Sequence, residues 1–360
     1  MVAVTVDTER EAARTPSPIA SVSVALCTYQ GAPWLPDFLG SLQAQRRLPD
    51  ELVVQDDGST DDTLAILESF ARTAPFAVRV EVNERRLGST SNFERALERT
   101  TGDFVALADQ DDIWYPEKLE RLVGVLLEDP ILTLTFSDAD LLDPSGRPLG
   151  RRLWGQRGIR HVLVTRQIVP GARFAQRALT TGCTMVGRRR AIEAALPFPD
   201  SLNDPVAPMR HDRWLSLVAA AVGTVRSMPE PLLGFRVHPD QQTGVLTTTE
   251  LAKRLLAAAV AATRNPPPEA RAAHLARARQ IDAAAERADR FGDFDEADDL
   301  RGVAAHHRTR ADLGRTVPAR VRTVWRELRL HRYDPSVLGT AAAAADLVRA
   351  LRPTPAALPS

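Results

Sequence analysis

The sequence predicts an α/β fold: a mostly parallel sheet flanked by helices, followed by a helical C-terminal region. Three observations carry this. Short apolar or β-branched runs alternate with helix-period segments from Ser21 to about Ala139, the pattern of βαβ units. A polar or Gly-bearing cluster closes each of the first four runs. After Gly244 the composition turns to Ala, Arg and acids at helical spacing, up to about residue 350.

The elements follow in order. SVSVALC (Ser21 to Cys27) reads as a buried strand, and Pro33 to Gln45 as a helix with Trp34, Leu35, Phe38, Leu39 and Leu42 turned inward. ELVVQ (Glu51 to Gln55) is a second strand. Thr60 to Arg72 is a helix capped by Ser59 or Thr60, with Leu64, Leu67 and Phe70 inward. AVRVEV (Ala77 to Val82) is a third strand and Ser89 to Thr100 a helix. DFVALA is a fourth strand, and Pro116 opens a helix to Glu128, where a proline costs no hydrogen bond. ILTLTFSDA follows as a strand. Thr181 to Arg188 reads as another, Arg189 to Leu196 as a short helix, and a buried helix starts at Asp212. TVRSM and PLLGFRVH are two further short strands. Pro268, Pro318 and Pro335 punctuate the helical region. The expected organisation is a disordered tail over 1–19, a sheet domain over 20–245 and a helical region over 246–360.

Composition narrows the function classes. The chain has 46 Lys+Arg and 46 Asp+Glu, so bulk attraction to nucleic acid is not expected. Its two cysteines, Cys27 and Cys183, form no metal-spaced cluster and suggest a reducing compartment. The first residues lack the charged and apolar regions of a leader, and no apolar run reaches the ~18 residues of a membrane span. A cytoplasmic location is expected.

Open parallel sheets bind ligands at the carboxyl ends of their strands. The clusters on that edge are CTYQG, DDGSTDD, NERRLG and DQDD. Asp109, Asp111 and Asp112 would repel one another unless neutralised. Divalent Mg²⁺ or Mn²⁺ takes one or two carboxylates plus phosphate oxygens and water. A capping cluster is the plainer alternative. In DDGST, Gly58 permits a sharp turn, and neither Asp56 nor Asp57 is needed for capping. A carboxylate there can accept the N3–H of a pyrimidine. Asp212 at a helix start is either an N-cap or a general base pointing into a cleft. His238, beside Arg236, is either a satisfied surface group or a ligand near a metal or phosphate.

Taken in order and spacing, SVALCTYQGAPWLPDFLGSLQAQ, VVQDDGSTDDT, NERRLGSTSNFERAL and GDFVALADQDDIWYPEKL resemble the family 2 glycosyltransferases of GT-A (Rossmann-like) fold. TGCTMVGRR, RHDRWLSLVAAAVG and PLLGFRVHPDQQTG are similar to its rhamnosyltransferase-like branch. The resemblance covers roughly residues 20 to 245. It implies a catalytic domain that moves a sugar, rhamnose foremost, from a nucleoside diphosphate sugar to an acceptor hydroxyl with inversion. A dTDP-sugar is the first expectation and a UDP-sugar the second. The acceptor would be a glycan or lipid-linked intermediate of cell-surface polysaccharide or glycolipid assembly. Thr28 and Tyr29 would line the nucleotide pocket, and Asp56 or Asp57 would hold the base. Gly88 would allow close approach of backbone to nucleotide. Asp109 and Asp111 would hold the ribose and the metal-bound diphosphate, with Asp111 the direct ligand. Asp212 would be the base, and His238 and Arg236 would lie by the diphosphate, His238 as a further metal ligand. The chain departs from the family pattern at Gln30, where Asn is more frequent, and at Arg213, where an aromatic is frequent.

Two other classes compete. A non-catalytic nucleotide-sugar-binding or scaffold protein would not need Asp212. A nucleotidyltransferase would need a basic Gly-rich loop after the first strand, and CTYQGAPW has one Gly and no Lys or Arg. In the C-terminal third, Val317 to Tyr333 reads as a basic amphipathic helix. Val317, Val321, Val324, Trp325 and Leu328 fall on one face, with Arg320, Arg326 and Arg329 off it. Such a helix either packs on the protein or lies on an anionic membrane surface.

Overall fold

In the computed structural model the described residues are 20–160, 163, 168–239, 241, 268–292, 294–312, 317–329, 343–344, 346–347 and 350–351. The expectation of a tail over 1–19 and the punctuation at Pro335 lie outside them. The strands are β1 (Val22–Thr28), β2 (Glu51–Asp56), β3 (Ala77–Val82), β4 (Phe104–Asp109), β5 (Ile113–Trp114), β6 (Leu132–Leu142), β7 (Pro148–Arg152), β8 (Ile168–Val169), β9 (Met185–Arg188) and β10 (Thr224–Arg236). The helices are α1 (Leu35–Gln43), α2 (Thr63–Ala71), α3 (Ser89–Arg99), α4 (Lys118–Glu128), α5 (Leu153–Gln156), α6 (Gly171–Gln176), α7 (Arg189–Ala195), α8 (His211–Ala221), α9 (Pro268–Phe291), α10 (Phe294–Ala311) and α11 (Val317–Arg329).

The strand order is β3-β2-β1-β4-β9-β6-β10-β5, with β7 on β6 and β8 on β10. β1 pairs in parallel with β2 and β4, β2 with β3, and β6 with β10. β9 runs antiparallel to both β4 and β6. All six long strands therefore point the same way, and only short ones oppose them. β1, β2 and β4 are buried almost throughout, as strands covered on both faces must be, which is why they read as continuous apolar runs. Leu35, Phe38, Leu39 and Leu42 of α1 and Leu119, Leu122, Val123 and Leu126 of α4 pack against Val24, Leu26, Val54 and Ala106 in one core.

The structure corrects several local expectations. α2 begins at Thr63, and neither Ser59 nor Thr60 caps it; Asp61 accepts the Thr63 amide at 3.1 Å instead. Trp34 stays half-exposed outside the apolar face of α1. Thr181 to Arg188 is not one strand, because a 3₁₀ turn at Gly182–Thr184 precedes β9. TVRSM and PLLGFRVH join into one strand, β10, whose register shifts around Pro231, where a proline cannot donate to the ladder. α8 starts at His211, so Asp212 lies inside its first turn and is not the N-cap.

The chain divides into two compact units. One comprises 1–170, 178–198 and 210–245, and the other 171–177, 199–209 and 246–360. In the second unit Gln280 of α9 donates to the Ser201 and Ala207 carbonyls at 2.6 and 2.9 Å. His306 of α10 meets Glu327 of α11 at 2.9 Å. In α11, Val324 is buried with Val321 and Leu328 packed beside it, whereas Trp325 is 55% exposed. The apolar stripe thus excludes Trp325, which lies one residue and so about 100° further round the helix from Val324. Among the described residues no helix is long and apolar enough to cross a membrane.

Candidate active site

The carboxyl ends of β1, β2 and β4 and the start of α8 enclose a cavity of about 390 Å³, within the first unit. That volume suits a small-molecule site. Carboxylates of Asp57, Asp109, Asp111 and Asp212 border it, together with Arg86, Arg210 and His238.

Each loop is held by its own side chains. Gln110, the middle residue of DQD, donates from Nε2 to the Tyr29 carbonyl at 3.0 Å and accepts the Tyr29 amide at 2.9 Å. A Cβ at Gly31 would sit 2.2 Å from the Gln110 Oε1, so glycine is required for this clamp. Gln30, in the left-handed region at φ 50°, accepts the Thr60 amide at 2.8 Å and so joins the first loop to the second. The Arg86 guanidinium stacks 3.9 Å over the Tyr29 ring.

Asp56 and Asp57 face different ways. Asp56 does not border the cavity: it accepts the Gly58 and Ser59 amides and the Thr28 and Ser59 hydroxyls at 2.6–3.0 Å. Asp57 borders the cavity and accepts Asn83 Nδ2, the Leu87 amide and the Gly88 amide at 2.7–2.9 Å. Asn83 in turn bonds Asn92 at 2.7 Å and Gln55 at 2.9 Å, a buried polar network that braces this wall. Gly88, at φ 84°, does not line the cavity; its conformation presents its amide to Asp57.

Asp111 and His238 meet, with Oδ2 and Nε2 2.9 Å apart. The His238 ring stacks on Trp34 at 5.0 Å. Ligands at about 2.1 Å on adjacent octahedral positions lie about 3.0 Å apart, so this carboxylate and imidazole fit one divalent cation, with the cavity side left for oxygen ligands. Burial and the neighbouring Asp111 push Asp109 up to about 7, against the pull of Arg210. Burial also holds His211 down at about 4, keeping it neutral where it stacks 3.8 Å from the Phe93 ring.

Arg236 is not at the cavity wall. It is 1% exposed, and its guanidinium donates to the Asp111 and Pro144 carbonyls at 2.8 and 2.9 Å and to Asp37 at 2.7 Å. It braces the turn that carries Asp111. The cations that do border the cavity, Arg86 and Arg210, were not singled out from the sequence, although one lies in NERRLG and the other directly precedes HD. The two metal ligands expected from the sequence, Asp111 and His238, are brought together, and Thr28, Tyr29, Asp57, Asp109 and Asp212 share their cavity.

Residues 23–194 match the family model described as glycosyl transferase family 2. An uncharacterised glycosyltransferase of Nostoc is 25% identical over 218 residues, 60% of this chain and 65% of that protein. A dTDP-rhamnosyl transferase of Shigella flexneri is 30% identical over 106 residues, 28% of this chain and 37% of that protein. The chain thus spans less than two thirds of the length of either relative. Among solved structures, Staphylococcus aureus TarS in complex with UDP shares the fold with a TM-score of 0.50 at 18% identity, over 88% of this chain and 94% of that one. The matched stretch runs from β1 into α7 and supplies the strand ends and acidic turn of the cavity, so residues 23–194 form a glycosyl transferase family 2 domain on a GT-A-like fold.

Proposed function

We propose that the chain transfers a sugar, with inversion, from a nucleoside diphosphate sugar to an acceptor hydroxyl. The observation that carries this is the single cavity bordered by Asp57, by the Asp111–His238 pair and by Asp212. Asp57 is positioned to accept a base N–H through Oδ2, which already takes the Gly88 amide and keeps one acceptor site. Thr28 and Tyr29 form the floor, and Asp109 serves the ribose. Arg86 and Arg210 supply positive charge for the diphosphate. Asp111 and His238 would hold the divalent cation, Mg²⁺ or Mn²⁺, which when bound offsets negative charge on a leaving phosphate.

In the transfer, Asp212 takes the proton of the acceptor hydroxyl. The acceptor oxygen forms a bond to the anomeric carbon as the bond from that carbon to the phosphate oxygen breaks. The electron pair leaves with the nucleoside diphosphate. One displacement inverts the anomeric centre, and a positioned base of this kind contributes about 10² to 10⁴ in rate.

The Shigella relative's dTDP-rhamnosyl activity supports dTDP-rhamnose as the first donor to test, with UDP-sugars second. A Bacillus subtilis relative, 30% identical over 130 residues, is a putative teichuronic acid biosynthesis glycosyltransferase, which supports an acceptor in cell-surface polysaccharide or glycolipid assembly. We place peripheral contact with the membrane on α11, whose outward face carries Arg322, Trp325, Arg326 and Arg329.

Calorimetric titration with dTDP, UDP and GDP, in Mn²⁺ and in EDTA, tests the reading. The expected result is metal-dependent binding of dTDP or UDP that is lost in Asp111→Ala. A folded protein that binds none of them would point to the scaffold alternative.

A further inference from the structure

His211 has no part in the transfer just described, yet it borders the same cavity as Asp212. It opens α8 and is 3% exposed. Its ring lies 3.8 Å from the Phe93 ring, with 24° between the planes. A second neighbour is Gly182, where a Cβ would come within 2.9 Å of the His211 Nε2 and 3.8 Å of the Asp212 Cβ. Phe93 and Gly182 border the cavity too. Gly182 sits in a 3₁₀ turn and has no left-handed φ, so its backbone does not call for glycine. The imidazole does, because a ring stacked on Phe93 has little freedom to swing away from a methyl group.

This close fit leaves the polar atoms of the ring unserved. Nδ1 is fully buried and has no hydrogen-bond partner among the described residues. Nε2 has none among them either. Burial holds the ring at about 4, against the pull of Asp212 and with the help of Arg210, so it is neutral near pH 7. A neutral imidazole carries one proton. A sealed N–H with nothing to donate to is the rarer and costlier orphan, so the proton belongs on Nε2 and Nδ1 keeps a bare lone pair. The result is one donor held in place at the cavity wall.

Position says what that donor meets. With the base on Asp57, the diphosphate at Asp111 and His238, and the acceptor's proton at Asp212, the transferred sugar lies beside Asp212 and so beside its neighbour on α8. A side chain only 3% exposed is met by what fills the cavity, and that is the donor. We infer that His211 is a specificity-determining residue whose Nε2–H donates to a hydroxyl oxygen of the sugar being transferred. This rests on the donor-site reading above.

Titration calorimetry in Mn²⁺ with dTDP, dTDP-rhamnose, UDP and UDP-glucose tests it on the wild-type chain, His211→Phe and His211→Gln. His211→Phe keeps a flat ring on Phe93 and removes the N–H. It should weaken the sugar nucleotide that the wild type binds about three- to tenfold, the net worth of one neutral hydrogen bond, and leave the bare nucleotide within about twofold. It should also be at least as stable in urea, since an apolar ring replaces an unpartnered buried polar one. His211→Gln, which can still present an N–H, should recover part of the loss. Bare and sugar nucleotide weakened alike, with lower stability, would mark a structural role and overturn the inference. An unchanged affinity for the sugar nucleotide would also overturn it and leave the acceptor as the partner. If His211→Phe does not fold, Gly182→Ala takes its place: the added methyl displaces the ring and should weaken the sugar nucleotide alone, and an unchanged affinity overturns the inference. A wild type that binds bare nucleotide but neither sugar nucleotide overturns it as well, whereas one that binds no nucleotide sinks the donor-site reading and this inference with it.

Discussion

Asp56 and Asp57 are adjacent and both buried, yet their carboxylates meet different kinds of donor. One oxygen of Asp56 faces two backbone amides and the other faces two hydroxyls. Hydroxyls can turn and accept. An asparagine at 56 can therefore keep its oxygen on the amides and donate its NH₂ to Thr28 and Ser59. Each oxygen of Asp57 faces a backbone amide, that of Leu87 or of Gly88, which cannot reverse. An asparagine there sets an NH₂ against an N–H whichever way it is turned. Asp57→Asn should thus be less stable than Asp56→Asn by about 1–3 kcal/mol, the cost of an unsatisfied buried donor, and it alone should weaken nucleotide binding. Urea denaturation and dTDP titration of the two variants check this; equal stabilities would refute it. The sequence left the choice between these residues open because both sit at the end of β2. Successive side chains on a strand point to opposite faces, and which face meets the cavity depends on neighbours the sequence does not order.

At the scale of elements, α11 separates its roles by face. Val324 is buried with Val321 and Leu328 against it, and Glu327, the helix's only acid, is buried and paired with His306. The outward face is left with Arg322, Arg326, Arg329 and a half-exposed Trp325. Basic residues at a membrane surface contribute about 1 kcal/mol each. Exchanging these three arginines for glutamine should therefore weaken binding to phosphatidylglycerol vesicles about 100-fold, with little binding of either protein to phosphatidylcholine. Co-sedimentation at low and high salt measures it, and wild-type and variant proteins that pellet alike would refute the contact. The other elements were legible in proportion to their length and burial. β1, β2 and β4 are covered on both faces and announce themselves as apolar runs. β5 and β8 have two residues each, too few for a period to show. Four strand-end loops were readable as one rim from sheet topology alone. The approach of Arg210 to that rim was not, because it brings the start of α8 against loops about 100 or more residues earlier in the chain, and in NERRLG the sequence did not show which side chain turns inward to stack on Tyr29.

For the whole molecule, the second compact unit is not a simple C-terminal appendage. It draws on 171–177 and 199–209, both of which lie between parts of the first unit in the chain. Phe174, Leu202 and Met209 from those stretches are at most 1% exposed. The same stretches are fastened within the unit by the Gln280 bonds to the Ser201 and Ala207 carbonyls and by an Arg279–Asp204 pair at 2.9 Å. A chain ended after residue 245 would keep these two stretches and lose α9, α10 and α11. Fully burying a side chain of this kind is worth about 1.5–3 kcal/mol, so exposing the three costs roughly 5–9 kcal/mol, comparable to the whole stability of a typical domain. The truncated protein should therefore aggregate or melt well below the full chain and should show weakened nucleotide binding even though every cavity residue is retained. Gel filtration, thermal melting and dTDP titration of the two lengths make the comparison. A monomeric truncation with an unchanged melting temperature would show that the inserted stretches do not depend on the helices that follow.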